Sequence, residues 1–122
     1  MNKPITRFQH GFADYAYAPL AAAAPRLFGF EKEKTATLLC QILGGGVLLN
    51  TLFTRAEWGA VKTIPFKVHL ATDVIAGALT MAAPWLFGFA KNKPARNTFL
   101  ALGGTSLVAG LITQPEEMPE NQ

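Results

Sequence analysis

Charge is scarce in this chain. Only 16% of its 122 residues are Asp, Glu, Lys or Arg, against roughly 25% in ordinary soluble domains. Cysteine is scarcer still. Cys40 stands alone, which excludes an intramolecular disulfide, a CxxC redox pair and a paired-cysteine haem attachment. A phosphate-binding glycine loop, an HExxH pair and a Ser–His–Asp set are all missing, so no motif points to catalysis. The net charge of +3 is spread over short clusters between apolar blocks and forms no basic face for nucleic acid. No cleaved leader is expected at the amino end. The first apolar stretch is too long for a signal h-region and carries Asp14, Pro19 and Pro25.

Apolar side chains, in contrast, are abundant. They make up 50% of the residues, and the mean hydropathy is +0.22 despite a polar start and an acidic end. They fall into four blocks of about 20 residues, each about 30 Å long as a helix, enough to cross a hydrocarbon core.

The blocks come from a duplication. Ala23-Ala24-Pro25-Arg26-Leu27-Phe28-Gly29-Phe30 returns 59 positions later as Ala82-Ala83-Pro84-Trp85-Leu86-Phe87-Gly88-Phe89. Between residues 10–54 and 69–113, 19 of 45 aligned positions are identical without a gap. Among them are His10/His69, Asp14/Asp73, Gly44/Gly103 and Thr54/Thr113. Such a repeat is read as a structural unit used twice.

Each unit reads as a helical hairpin. Helices are expected over about 4–28, with Pro4 at the first helical position, 34–53, 66–89 and 95–113. Pro19 and Pro25 free the carbonyls of Tyr15 and Ala21, so a kink is expected in the first helix. Polar turns follow Phe30 and Phe89. The connection 55–66, with Arg55, Glu57, Trp58, Lys62 and Pro65, joins the repeats, and Trp58 is placed where an interfacial aromatic would sit. The acidic tail 114–122 is expected to fray. Gly44-Gly45-Gly46 offers a flat contact face, and Gly103, Ser106 and Gly110 share one face of the fourth helix.

The fold expected is all-α: an integral membrane protein of four transmembrane helices, two tandem hairpins in a parallel pseudo-twofold arrangement. Both ends and the long connection then share a side with five basic residues, against six at the hairpin turns, so charge barely orients the chain.

The second hairpin resembles the SPW-repeat family of small bacterial membrane proteins. Gly77 is followed seven residues later by Pro84-Trp85, then Leu86 and Gly88-Phe89, a polar turn and a glycine-bearing helix. The first copy follows the plan with Pro25-Arg26-Leu27. The signature serine is Ala83 here and Ala24 in the first copy. The resemblance implies a two-helix membrane repeat, an inner-membrane location and no assigned activity.

The candidate site is His10 with Asp14 and His69 with Asp73. Each pair is spaced i, i+4 and shares a helix face. A carboxylate at the bilayer centre costs roughly 2.5–3.5 kcal/mol by insertion scales. Two readings follow. Each pair forms a local interfacial bridge or a helix–helix hydrogen bond, near enough to the headgroups for Arg7 or Lys67 to neutralise the Asp, or the four side chains converge on a Zn, Fe or Mn ion or a proton relay. No cofactor other than such an ion is expected. Gln41 and Asn50 are expected in interhelical hydrogen bonds, and Cys40 is read as an inert core thiol. The function expected is a non-enzymatic membrane scaffold or accessory subunit, a homo-oligomer or a partner of other membrane proteins. The alternative is a small transporter, channel, or metal- or proton-handling protein using the four His and Asp residues.

Overall fold

The computed structural model describes residues 3–119. Four helices follow one another: α1 (Arg7–Leu27), α2 (Lys34–Leu52), α3 (Phe66–Leu86) and α4 (Lys93–Ile112). Among the described residues the only β pairing is two isolated bridges.

Local chemistry sets the helix ends. α1 starts at Arg7 rather than Pro4, because Thr6 closes a capping box with Gln9. The Gln9 amide donates to Thr6 Oγ1 at 3.1 Å and the Thr6 amide donates to Gln9 Oε1 at 3.0 Å. At α4 the Asn92 side chain accepts from the Ala95 amide, and Pro94 falls in the first turn, where no N–H is needed. The duplicated Pro–Gly elements end α1 and α3 in the same way. Gly29 and Gly88 take φ of 76° and 78°. The Phe30 amide then donates back to the Pro25 carbonyl, and the Phe89 amide to that of Pro84, each at 2.9 Å. These are Schellman closures, in which a left-handed glycine lets the next amide satisfy a helix-end carbonyl. They bury Phe30 and Phe89 in the core. α1 passes through Pro19 as one helix.

Packing is tightest within each hairpin, α1 on α2 and α3 on α4. Small residues permit it. A Cβ on Gly44 would lie 2.7 Å from the Ala18 carbonyl oxygen, and one on Gly77 would lie 2.6 Å from the Leu107 nitrogen. Gly45 and Gly46 meet nothing within 4 Å, so only Gly44 of the triplet makes the expected close contact. Gly103, Ser106 and Gly110 are all buried. Within the second hairpin Phe99 packs edge-on to Phe89, and across the hairpins it lies beside Phe30.

The bundle buries a cluster of polar side chains beside its apolar core and exposes large apolar side chains. Phe12, Ile42, Ile75 and Leu79 are about 60% exposed, whereas His10, Asp14, Thr51, His69, Asp73 and Thr113 are buried. α2 and α3 are long and apolar enough to cross a bilayer. Their apolar windows are only 22% and 33% buried, the opposite of a core helix in a water-soluble protein.

Equivalent contacts tie the hairpins end to start. Thr54, after α2, bridges Ile64, before α3; Thr113, after α4, bridges Ile5, before α1. The Arg55 amide donates to the Ile64 carbonyl at 2.7 Å, and the Gln114 amide donates to Ile5 at 2.8 Å. The tail therefore does not fray where it is described. Glu117 accepts from the Phe66 and Lys67 amides at 2.9 Å each, capping α3, and Arg55 donates to the Met118 carbonyl. Met118 is buried. Residues 120–122 of the expected tail lie outside the described residues.

Arg7 donates to both carboxylate oxygens of Glu57, at 2.8 and 2.9 Å, fastening the 55–66 connection to α1. That hydrogen bond holds the Glu57 carboxyl below its usual range. The lowered folded-state value means that the stabilisation is present above the ordinary glutamate range and fades as pH falls through the folded value. Glu57→Gln should cost about 0.2–1 kcal/mol at pH 7 and progressively less as pH falls below the ordinary glutamate range, as measured by reversible unfolding in detergent micelles. In the same assay Gly77→Ala should destabilise the fold by roughly 1–3 kcal/mol, because its new methyl meets only backbone. Gly45→Ala should be neutral or gain up to about 1 kcal/mol from helix propensity.

Candidate functional site

The four sequence candidates meet at one point. His10 and Asp14 lie on the first half of α1, and His69 and Asp73 at the equivalent places on α3. The shortest contacts are crossed between the repeats. His10 Nε2 lies 2.9 Å from Asp73 Oδ2, and His69 Nε2 lies 2.8 Å from Asp14 Oδ2. The contacts within each i, i+4 pair are longer, at 3.2 and 3.3 Å. Imidazole and carboxylate thus alternate around a ring that links α1 to α3. Both histidines are at most 1% exposed, and the aspartates are 8% and 6% exposed.

Arg7 and Lys67 do not neutralise the aspartates, as one reading expected. Arg7 is committed to Glu57 and the Glu116 carbonyl, and among the described residues the ion pairs of both aspartates are with His10 and His69, none with Lys67. Each Asp instead faces the histidine of the other repeat, at a separation set by the packing of α1 across α3.

Two threonines complete the ring. His69 Nδ1 lies 2.8 Å from Thr54 Oγ1, and His10 Nδ1 lies 2.9 Å from Thr113 Oγ1. Thr54 Oγ1 donates its only hydrogen to the Asn50 carbonyl, and Thr113 Oγ1 donates its own to the Ala109 carbonyl. Each hydroxyl can then only accept from its histidine, which places a proton on both Nδ1 atoms. Nε2 is left as the atom facing the carboxylates. Thr54 and Thr113 stand at equivalent repeat positions, and that identity was the sequence signal for them.

Further groups fix the ring from outside. Thr51 Oγ1 lies 3.4 Å from Asp14 Oδ2, and Ser106 Oγ donates to the Asp73 backbone carbonyl at 2.8 Å. Phe66 stacks on His69 at 5.8 Å between centroids. Trp58 is not an outward interface anchor. It packs edge-on to His69 and Phe66 and donates its indole N–H to the Arg7 carbonyl. Gly11 makes the room, since a Cβ there would lie 2.2 Å from the indole. A cavity of about 50 Å³ lies on the other side of the carboxylates, lined by Ala13, Tyr17, Thr105, Ser106 and Ala109. Gln41 donates to the Ala22 carbonyl, the interhelical bond expected of it; Asn50 serves through its backbone carbonyl.

The chemistry available is narrow. One ligand atom from each of the four side chains lies within 4.8 Å of the other three. Two imidazole nitrogens and two carboxylate oxygens can hold protons or a borderline metal ion. Every side chain in the ring is tied to another.

The SPW repeat domain model matches residues 8–113, spanning both hairpins and all four ring residues. No curated protein and no solved structure matches the chain. The match takes in the two Pro–Gly turns, the glycine-packed helix pairs and the crossed ring alike, and on that extent the chain belongs to the SPW repeat family.

Proposed function

We propose that this protein is a four-span, non-enzymatic membrane scaffold or accessory subunit. The observation that carries this reading is the belt of exposed large apolar side chains along the helices, while His10, Asp14, His69 and Asp73 within α1 and α3 are buried. α2 and α3 meet the requirement for crossing a bilayer. α1 and α4 are of similar length, and they expose Phe8, Phe12 and Leu20, and Val108 and Leu111. Packed in hairpins against α2 and α3, they cross with them. The two units are then parallel repeats about a pseudo-twofold axis along the membrane normal, in a multi-pass protein of the bacterial inner membrane. The outward apolar belt suits lipid and other membrane helices, including further copies of the chain.

A second reading, a small metal- or proton-handling protein or a carrier, is favoured by the ring itself. Ionisable groups inside a membrane bundle are costly and are by default functional.

The first reading is tested by fractionation. The expressed protein should stay with membranes through alkaline carbonate washing and should dissolve only with detergent. Light scattering of the purified complex should give a mass above one chain, or a stoichiometric partner should co-purify. A monodisperse single chain in detergent-free buffer overturns the membrane reading. A partner-free monomer in detergent overturns the scaffold reading alone.

A further inference from the structure

We propose that His10, Asp14, His69 and Asp73 form a closed divalent transition-metal site that exchanges one ion for two protons. The inference deepens the metal-handling reading and is independent of the scaffold role.

The threonines carry the first step. With Nδ1–H committed to Thr54 or Thr113, a neutral imidazole would turn a bare Nε2 lone pair towards two carboxylate oxygens. Contacts of 2.8 and 2.9 Å between such atoms are repulsive unless a positive charge lies between them. Only two kinds of cation fit. Either each Nε2 carries a proton, giving two imidazolium–carboxylate pairs, or one metal ion replaces both protons. The two fillings have the same net charge: two carboxylates balanced by two protons, or by one divalent ion. The exchange is M²⁺ plus two His-H⁺ and two Asp⁻ giving M(His)₂(Asp)₂ plus two H⁺, with no redox change. A buried site avoids a change in net charge by this route, which matters where a bare charge is costly.

Distances carry the second step. Zinc binds imidazole nitrogen at about 2.0–2.1 Å and carboxylate oxygen at about 2.0–2.2 Å in tetrahedral sites, so neighbouring ligand atoms lie about 3.3 Å apart. The four His–Asp separations are 2.8, 2.9, 3.2 and 3.3 Å. All four ligand atoms lie within 4.8 Å of one another, so the His–Asp edges open slightly and the His–His and Asp–Asp pairs across the ring draw together when the ion is held. Threonine hydroxyls on Nδ1 are the outer-shell partners that orient a ligating histidine. All four positions are protein ligands, as in structural zinc sites, so the ion cross-links the repeats and has no open position for catalysis.

Around the ring, α1 presents Tyr17 beside the two acids, with its hydroxyl donated to the Leu102 carbonyl. α2 and α4 face it with the hydroxyls of Thr51 and Ser106, and the residues just beyond them with those of Thr54 and Thr113. The 55–66 connection faces it with Trp58. The two His and two Asp are thus the groups whose protons the metal displaces. Apparent affinity should fall up to about 100-fold per pH unit where both imidazoles are protonated.

The test uses full-length protein in detergent, stripped with chelator and titrated with Co²⁺ and then Zn²⁺. One Co²⁺ per chain should bind with a visible tetrahedral absorption band, and Zn²⁺ should displace it. Calorimetry in buffers of different ionisation enthalpy should report two protons released per ion. Thr54→Val and Thr113→Val should each weaken binding about 10–100-fold with helicity unchanged. Asp14→Asn/Asp73→Asn should abolish it while the bundle stays helical by circular dichroism. No saturable one-to-one binding overturns the proposal, as does binding that survives the double variant or releases no proton.

Discussion

Two carboxylates and two imidazoles held inside a narrow helical bundle must neutralise one another, and this requirement shapes the whole chain. An unpaired charge buried this way costs several kcal/mol. The crossed pairing, His10 with Asp73 and His69 with Asp14, lets neither hairpin meet the requirement alone. The interface between repeats is therefore specified by electrostatics at one end. Apolar contact supplies the rest, through Phe30, Phe89 and Phe99 at the other end. Between these ends the hairpins touch lightly, while glycine and alanine hold each hairpin tightly together. The strong contacts are local and the specific one is long-range.

The surroundings of the ring are unequal despite the repeat. Trp58 roofs one side, and the position 59 residues later is Glu117, which caps α3 instead. Gly11, which admits the indole, stands opposite Leu70 in the second copy. Phe66 stacks on His69, while its counterpart Arg7 reaches out to Glu57. The ligand atoms keep the twofold pattern and the covering side chains do not. Any proton or ion entering the ring meets an aromatic lid on one side and the small cavity beside Asp14 and Asp73 on the other.

Much of this was legible before any coordinates. The 59-residue offset marked the hairpin unit and the four helices, and it left convergence of the four site residues as one of two readings, since duplicated residues at equal depth on equivalent helices can fall close together. What escaped depended on contacts distant in sequence. Glu117 capping α3 and Arg55 holding Met118 turn an acidic tail into a docked strap, and composition carries no trace of either. Trp58 looked like an interface residue because aromatics near span ends usually are; its place over His69 depends on the absent side chain at Gly11. The start of α1 was written in the sequence, since Thr6 and Gln9 are spaced as a capping box, but Pro4 offered a competing signal. Thr54 and Thr113 were visible as repeat identities, and their role appeared only when each was found against the histidine of the other hairpin.

The bridge between Ile5 and Thr113 copies, 59 residues away, the bridge between Ile64 and Thr54. Backbone at the two extremities thus runs side by side in the manner of a cut loop, and the molecule is topologically a closed circle opened at one of two equivalent seams. Relations in which residue i meets j and j meets i belong to isologous dimers. The chain carries that geometry within a single polypeptide. Rejoining the extremities and reopening the circle at 55–66 would leave each helix with its neighbours, so the two seams are interchangeable in the geometry of the bundle.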